Sequence, residues 1–353
     1  METLFSRLVK SLMQLGLRNY EARAYATIAI FREATAPNIA ERSGIPTSKI
    51  YSVLKSLEER GLIECQNGRP KIYRITDPDY SFSNLIKVYE EKKNSIVKLL
   101  NEITGLEEQI HGGVWVVRGA RNVIRKIKEL LKHAETCIAF AAPDFLYKKF
   151  IQDLIEAGRN GKTLSLVIYE TDRDLTENLA SILGRYSKVK RRFIPTVVTI
   201  LIDRKVGLSS YYSILNEKGE THLYAIVIEE ESLLRLLNDF FHLALWITSE
   251  ELRFNLATRF RKPQSYTHFW RVVEDAKYFI DKGLTLKASV EGRLPKTGEI
   301  TVVEGKITDV NIDYNWLKYS LTISSGRKKY EIGGWGCVVE EIEGLKVVLH
   351  PPK

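Results

Sequence analysis

Thr47, Ser48, Lys49, Tyr51, Ser52 and Lys55, within the stretch SGIPTSKIYSVLKSLEERGLI, fall on one side of a helix. Its other side carries Ile50, Val53, Leu54 and Leu57 at the three-and-four spacing of a buried stripe. A solvated helix face is ordinarily dressed in Glu and Lys. Hydroxyls, an aromatic ring and lysines instead offer the donors and acceptors that suit base edges and phosphates. Arg69, Lys71 and Arg74 follow in LIECQNGRPKIYRI, two alternating segments about the turn signal Asn67-Gly68, so they sit on or beside a β-hairpin. A DNA major groove about 12 Å wide admits one helix, and a basic hairpin can lie along the backbone next to it. The plain alternative for any single one of these lysines and arginines is a solvated surface charge.

Residue types that carry covalent or metal chemistry do not converge. The sequence holds no H-E-x-x-H, no Walker loop and no G-x-S-x-G. Cys65, Cys137 and Cys337 stand far apart, and their odd number supports neither a disulfide framework nor a C-x-x-C metal site. His111, His133, His222, His242, His268 and His350 are scattered, and each reads as a surface or satisfied core residue. Asp203, at the end of an apolar strand, reads as a turn cap. The expectation is no catalytic residue, no metal and no cofactor.

The elements that must position the helix and hairpin are legible in order. Leu4, Leu8, Leu12 and Leu15 form one stripe ended by Gly16; Asn19 opens a helix carrying Tyr20, Ala24, Ile28 and Phe31. TAPNIAERSG supplies a short helix with Pro37 in its first turn and Gly44 as its stop. With the polar-faced helix and hairpin, this order predicts a winged helix-turn-helix over 1–78. Phe82, Leu85, Tyr89, Ile96, Leu99, Ile103, Leu106 and Ile110 then alternate in steps of three and four, broken by Lys92. They predict a coiled-coil dimerisation helix over 79–111. Apolar strand-like runs alternating with helices predict an α/β domain over 112–250. A tail of short strands and turns predicts a small all-β domain within an effector-binding region, 251–353.

Composition sets the limits. The 353-residue chain is 44% hydrophobic and 27% charged, a globular balance that argues against disorder and for more than one core. Its net charge of +9 weakly favours an anionic partner. The amphipathic start METLFSRLVKSLMQLG lacks a signal peptide's apolar core and no run is long enough to span a bilayer, so a cytoplasmic protein with no membrane partner is expected.

Across essentially its full length the chain resembles the TrmB family of archaeal sugar-sensing transcription regulators. The resemblance is strongest in GLRNYEARAYATIA, in SGIPTSKIYSVLKSLEERGLIE, and in the tail segments GEITVVEGKITDV and YEIGGWGCVVEEIEGLKVVL. It implies an α+β multidomain architecture whose middle domain is shaped like phospholipase D. The catalytic H-x-K-x-x-x-x-D is missing from the matching strand VVTILIDRKVGLSS. It also implies a sugar site built from a glycine, two apolar residues and a glutamate close in sequence, plus an upstream asparagine. GGWGCVVE offers Gly334, Val338, Val339 and Glu340 at a consistent spacing, with Asn315 upstream and Asn311 second. The chemistry suits a sugar: a carboxylate accepts two hydroxyl hydrogen bonds, a glycine lets backbone approach a ring, and Trp335 offers a stacking face. Gly333-Gly334 turning a hairpin and Trp335 filling a core is the alternative.

The resulting expectation is a homodimeric regulator binding double-stranded promoter DNA. A sugar effector, maltose or another di- or oligosaccharide, controls it, and repression is relieved by sugar. The rival readings are an abundant chromatin-like DNA-binding protein without an effector, and an enzyme of phospholipase or nuclease type, which the missing histidine and lysine disfavour.

Overall fold

Ile50, Leu54 and Leu57 are fully enclosed and Val53 nearly so, while every intervening residue from Thr47 to Lys55 is exposed. The polar-faced helix is therefore amphipathic in the sense its spacing predicts. The computed structural model describes residues 3–66, 68–104, 112–211, 224–253, 260 and 262–351, and the chain divides into two units, 1–109 and 110–353.

The first unit runs α1 (Leu4–Gln14), α2 (Asn19–Phe31), β1 (Glu33–Thr35), α3 (Ala36–Ser43), α4 (Thr47–Glu59), β2 (Ile63–Gln66), β3 (Ile72–Ile75) and α5 (Pro78–Thr104). Gly44 takes a left-handed φ of 64° and lets the Ile45 amide donate to the Ala40 carbonyl, which stops α3 and begins the turn into α4. Glu21 locks α4 in place. Only 3% exposed, its carboxylate accepts from the Arg18 amide at 2.7 Å and the Ser56 hydroxyl at 2.7 Å, with Arg60 3.7 Å away. The strands pair in the order β1-β3-β2. The three-residue β1 is not legible beforehand, because so short a strand has no periodicity to read.

Along α5, Phe82 meets Tyr25 edge-on at 5.7 Å and Leu85 is buried, so its first turns belong to this unit's core. Tyr89, Ile96, Leu99 and Ile103 of the predicted seam are exposed, as are Val97 and Leu100. Leu106 and Ile110 lie outside the described residues, as do Asn67, His111 and His222.

The second unit starts with β4 (Val114–Arg118), α6 (Ala120–His133), β5 (Cys137–Pro143), α7 (Asp144–Arg159), β6 (Thr163–Tyr169), α8 (Arg173–Leu183) and β7 (Lys188–Arg192). It continues through β8 (Val197–Ile202), β9 (Val206–Tyr211), β10 (Tyr224–Ile228), α9 (Glu231–Asp239) running into a π-helical turn (Phe240–Trp246), and β11 (Glu250–Arg253). These strands form one sheet, β11-β7-β6-β5-β8-β9-β10-β4, in which β5, β6 and β7 are parallel and the other pairs antiparallel. All seven residues of β5 and of β6 are buried, the signature of central strands covered on both faces. Its last strand crosses the expected 250/251 boundary.

β12 (Gln264–Tyr266), α10 (Phe269–Ile280), β13 (Lys287–Arg293), β14 (Ile300–Asp313), β15 (Lys318–Ser325), β16 (Lys328–Gly333) and β17 (Ile342–His350) complete the chain. The strands order as β12-β17-β13-β14-β15-β16, and β16 also pairs with β17 in parallel, so the sheet curls toward closure. From Lys287 onward the described elements are all strands, and the helix that covers them lies just before that tail. α10 buries Phe269, Trp270, Val272, Val273, Ala276 and Phe279 and shares one core with β14, β15 and β17, because a sheet with one apolar face must cover it. Among the described residues no helix is long and apolar enough to cross a membrane.

Candidate DNA-binding surface and ligand cavity

Thr47, Ser48, Lys49, Tyr51, Ser52 and Lys55 are all exposed on α4, and Arg69 and Lys71 are exposed in the β2–β3 connection. Tyr51 leaves 59% of its surface free; Ser52 Oγ donates to the Lys49 carbonyl at 2.8 Å, and Lys49 Nζ stands 5.6 Å from the Tyr20 ring. Lys55 is 3.7 Å from Glu59, an exposed pair that holds it weakly. Arg74 differs from the expectation for the wing. It lies opposite Glu64 across the strands and donates to it through Nε at 2.9 Å and Nη2 at 2.7 Å, so its guanidinium is occupied.

In the second unit a cavity of about 540 Å³ opens between the β16–β17 connection, the start of β15, α9 with its π-turn, the start of α10 and the β8–β9 turn. That volume suits a small organic ligand. Gly334, Trp335, Val338, Val339 and Glu340 all line it. Asn315 does not: its amide donates to Asp313 Oδ1 in the β14–β15 turn, and the chain reaches the cavity only from Trp316 to Tyr319. Asn311 likewise is not among the lining residues; it pairs with Ser320 across the ladder.

The glycines have steric reasons. A Cβ on Gly333 would sit 2.7 Å from Glu340 Oε2, so that carboxylate takes up the space a side chain would fill. Gly336 holds a left-handed φ of 68°. Glu340 is buried, 3.8 Å from Lys318 Nζ, which binds Glu331 at 2.8 Å and is raised in pKa by that contact. Val338 and Val339 are 86% and 75% exposed, so as apolar residues they form an open rim.

Sequence reading misses the opposite wall. The His242 ring stacks on Trp270 at 4.7 Å and 13°, and Tyr319 meets His242 edge-on at 4.8 Å. His242 Nε2, Tyr319 Oη and Thr267 Oγ1 are buried and find no hydrogen-bond partner among the described residues. All three residues line the cavity, where polar groups without partners favour a ligand with hydroxyls to pair with them. The helical pattern FWRVVEDAKYFI signals that Trp270 faces a core; it carries no signal that His242 and Tyr319 meet it there.

Burial pushes the His242 imidazole from its ordinary 6.5 down to about 4. As pH falls, the unfolded chain therefore takes up this proton before the folded one does. The neutral ring's contribution to stability is intact above the unfolded pKa and is lost between 6.5 and about 4. A His242→Phe variant is expected to flatten this dependence. Denaturant unfolding at pH 7 and pH 5 should show the wild-type chain losing on the order of 2 kcal/mol more than the variant. Equal losses would contradict the assignment.

Asp203 caps a turn, as its type suggests. Its carboxylate accepts from the amides of Glu135, Thr136 and Cys137 at 2.5, 2.8 and 2.6 Å. Among the described residues no group of three or more His, Cys, Asp or Glu side chains could hold a metal ion.

Residues 12–79 match the family model "Sugar-specific transcriptional regulator TrmB". Residues 113–253 match "Transcriptional regulator TrmB, EBD N-terminal subdomain", and residues 261–351 match "TrmB/TrmBL1, EBD C-terminal subdomain". The chain is 25% identical over 350 residues to the HTH-type sugar sensing transcriptional regulator TrmBL1 of Pyrococcus furiosus, covering 97% of this chain and 98% of that protein. It is 30% identical over 176 residues to the DNA-binding HTH-type transcriptional repressor TrmBL2 of Thermococcus kodakarensis, covering 46% of this chain and 67% of that one. Among solved structures, TrmBL2, described as an archaeal chromatin protein, is 22% identical with a TM-score of 0.32, over 70% of this chain and all of that one. The phospholipase D family member Nuc of Salmonella typhimurium is 18% identical with a TM-score of 0.34, over 40% of this chain and 99% of that one. Neither is a close superposition.

Proposed function

Because the chain belongs to the TrmB family, we propose that it is a transcriptional regulator whose DNA binding is controlled by a sugar held in the 540 Å³ cavity. The observation that carries this reading is the meeting of Gly334, Trp335, Val338, Val339 and Glu340, close in sequence, with an aromatic and polar wall from distant segments. An indole, a buried carboxylate and hydroxyl or imidazole groups without partners among the described residues suit a pyranose, which offers apolar C–H faces and a rim of hydroxyls. A volume of this order accommodates a disaccharide, so maltose or another di- or oligosaccharide is the effector class.

In the head, Thr47, Ser48, Lys49, Tyr51, Ser52 and Lys55 read base edges and adjacent phosphates, and Arg69 and Lys71 contact the flanking backbone. The exposed seam of α5 pairs two copies of the chain as a coiled coil, supported by Ile96, Leu99 and Ile103 having no cover within the chain's described residues. The α/β domain, phospholipase-D-like by resemblance and lacking the H-x-K-x-x-x-x-D signature, acts as scaffold rather than enzyme. The sugar lowers operator affinity and so relieves repression, to the extent that it binds the two arrangements of the heads with different affinity.

Thermal unfolding against a sugar panel tests the cavity reading. An effector at about 100 times its dissociation constant adds about 2.7 kcal/mol to the stability of the unit that binds it, and raises its melting temperature. A panel of maltose, maltotriose, sucrose, trehalose and glucose that moves no transition would count against a sugar site.

A further inference from the structure

We propose that Arg204 is the positioning residue that fixes Trp335 and the turn through Cys337 as one wall of the cavity. Arg204 belongs to the α/β sheet, at the tip of the β8–β9 hairpin, yet its guanidinium reaches the tail. Nη2 donates to Glu343 Oε1 at 2.7 Å, Nη1 donates to the Gly344 carbonyl at 3.0 Å, and Cζ lies 4.2 Å from the centre of the Trp335 ring. The same Glu343 oxygen accepts the Gly336 amide at 3.2 Å, so one carboxylate holds the guanidinium and the turn together. Arg293 neutralises the other oxygen at 2.8 Å, which keeps this 3%-exposed carboxylate paired. The indole is fixed at its edge as well, Nε1 donating to Glu231 at 3.3 Å.

The hairpin tip gives Arg204 a rigid base. Asp203 and Arg204 both hold left-handed backbone, φ 52° and 59°, a conformation unfavourable to non-glycine residues. It is kept in place by the three amides that Asp203 accepts at the start of β5. The guanidinium against Trp335 holds the indole beside the cavity that both residues line, and its flat fork makes two hydrogen bonds that an ammonium cannot reproduce in the same plane. The inference rests on the sugar reading only for the choice of probe.

The experiment compares wild-type, Arg204→Lys, Trp335→Leu and the double variant by hydrogen exchange without ligand, and by calorimetric titration with maltose. Arg204→Lys is expected to raise exchange across 334–337 on the order of tenfold or more, while the strand 137–143 is unaffected. It should weaken maltose binding about tenfold in the wild-type background and less than about twofold in the Trp335→Leu background, since its effect passes through the indole. Unchanged exchange at 334–337, or equal losses of maltose affinity in both backgrounds, overturns the proposal. If the wild-type chain does not bind maltose, that result counts against the proposed effector, and the exchange comparison alone decides the role of Arg204.

Discussion

A Lys49→Glu, Lys55→Glu double variant is expected to bind promoter DNA on the order of 100-fold more weakly than the parent chain at about 0.1 M salt, with its fold unchanged. Both side chains are exposed on the face opposite Ile50, Leu54 and Leu57, so the substitutions leave the core intact and cost the head no more than about 0.5 kcal/mol. On the DNA side each change turns an attraction for phosphate or for guanine acceptors into a repulsion. Position 55 gains a second carboxylate one turn from Glu59.

The wing supplies the contrast. Arg69→Ala and Lys71→Ala should weaken all sequences alike and lower the slope of log affinity against log salt by about 0.9 per phosphate contact. Arg74→Gln should weaken binding less than either of them, because Arg74 donates to Glu64 through both Nε and Nη2. Binding and competition measurements on labelled DNA over a salt series separate these outcomes. A double variant that binds as tightly as the parent would remove α4 from the interface. A parent with a steep salt slope and no preference among sequences would favour the chromatin-like rival.

Glu340→Ala is expected to leave promoter binding intact and abolish the response to sugar. Coupling between two sites typically amounts to about 1 to 3 kcal/mol, here a 5- to 150-fold change in DNA affinity, and that whole factor should vanish in the variant. The carboxylate is buried where Gly333 leaves it room, and its ion-pair partner Lys318 is held more closely by Glu331. Truncation therefore leaves no cation stranded. Glu340→Gln keeps the volume and one acceptor, and should retain a weakened response. Gel shift with and without maltose reads both variants.

The head is legible in sequence because its information is local. The stripe of α4, the Gly44 stop and the β2–β3 alternation each declare themselves within a few residues, and the exposed face of α4 follows from the same spacing. The central strands of the α/β sheet are legible for the same reason, as short, mostly apolar runs. The cavity is only half legible. GGWGCVVE is one contiguous segment, and the five residues drawn from it all line the cavity.

His242, Trp270, Tyr319 and Arg204 come from four other segments and meet only through tertiary packing, which no periodicity encodes. Scattered histidines read as bland surface or core residues, and two of the six, His242 and His268, stack with Trp270. Asn315 and Asn311 stay outside the cavity lining for a related reason. The β14–β15 turn uses Asp313 to cap the amides of Asn315 and Trp316, and the chain enters the cavity one residue later. α10 carries a helical apolar pattern in FWRVVEDAKYFI, but its packing over the sheet that follows is tertiary and has no local signal.

The most direct test of the whole account is a single titration. Labelled DNA from upstream of the chain's own gene is bound by the full-length protein, and the apparent dissociation constant is measured with and without saturating maltose, and then with each other sugar of the panel. At least one sugar should weaken binding between 5- and 150-fold in the wild-type chain and leave the Glu340→Ala chain unmoved. Equal affinity with and without a sugar that thermal unfolding shows to be bound would contradict a cavity that governs the head.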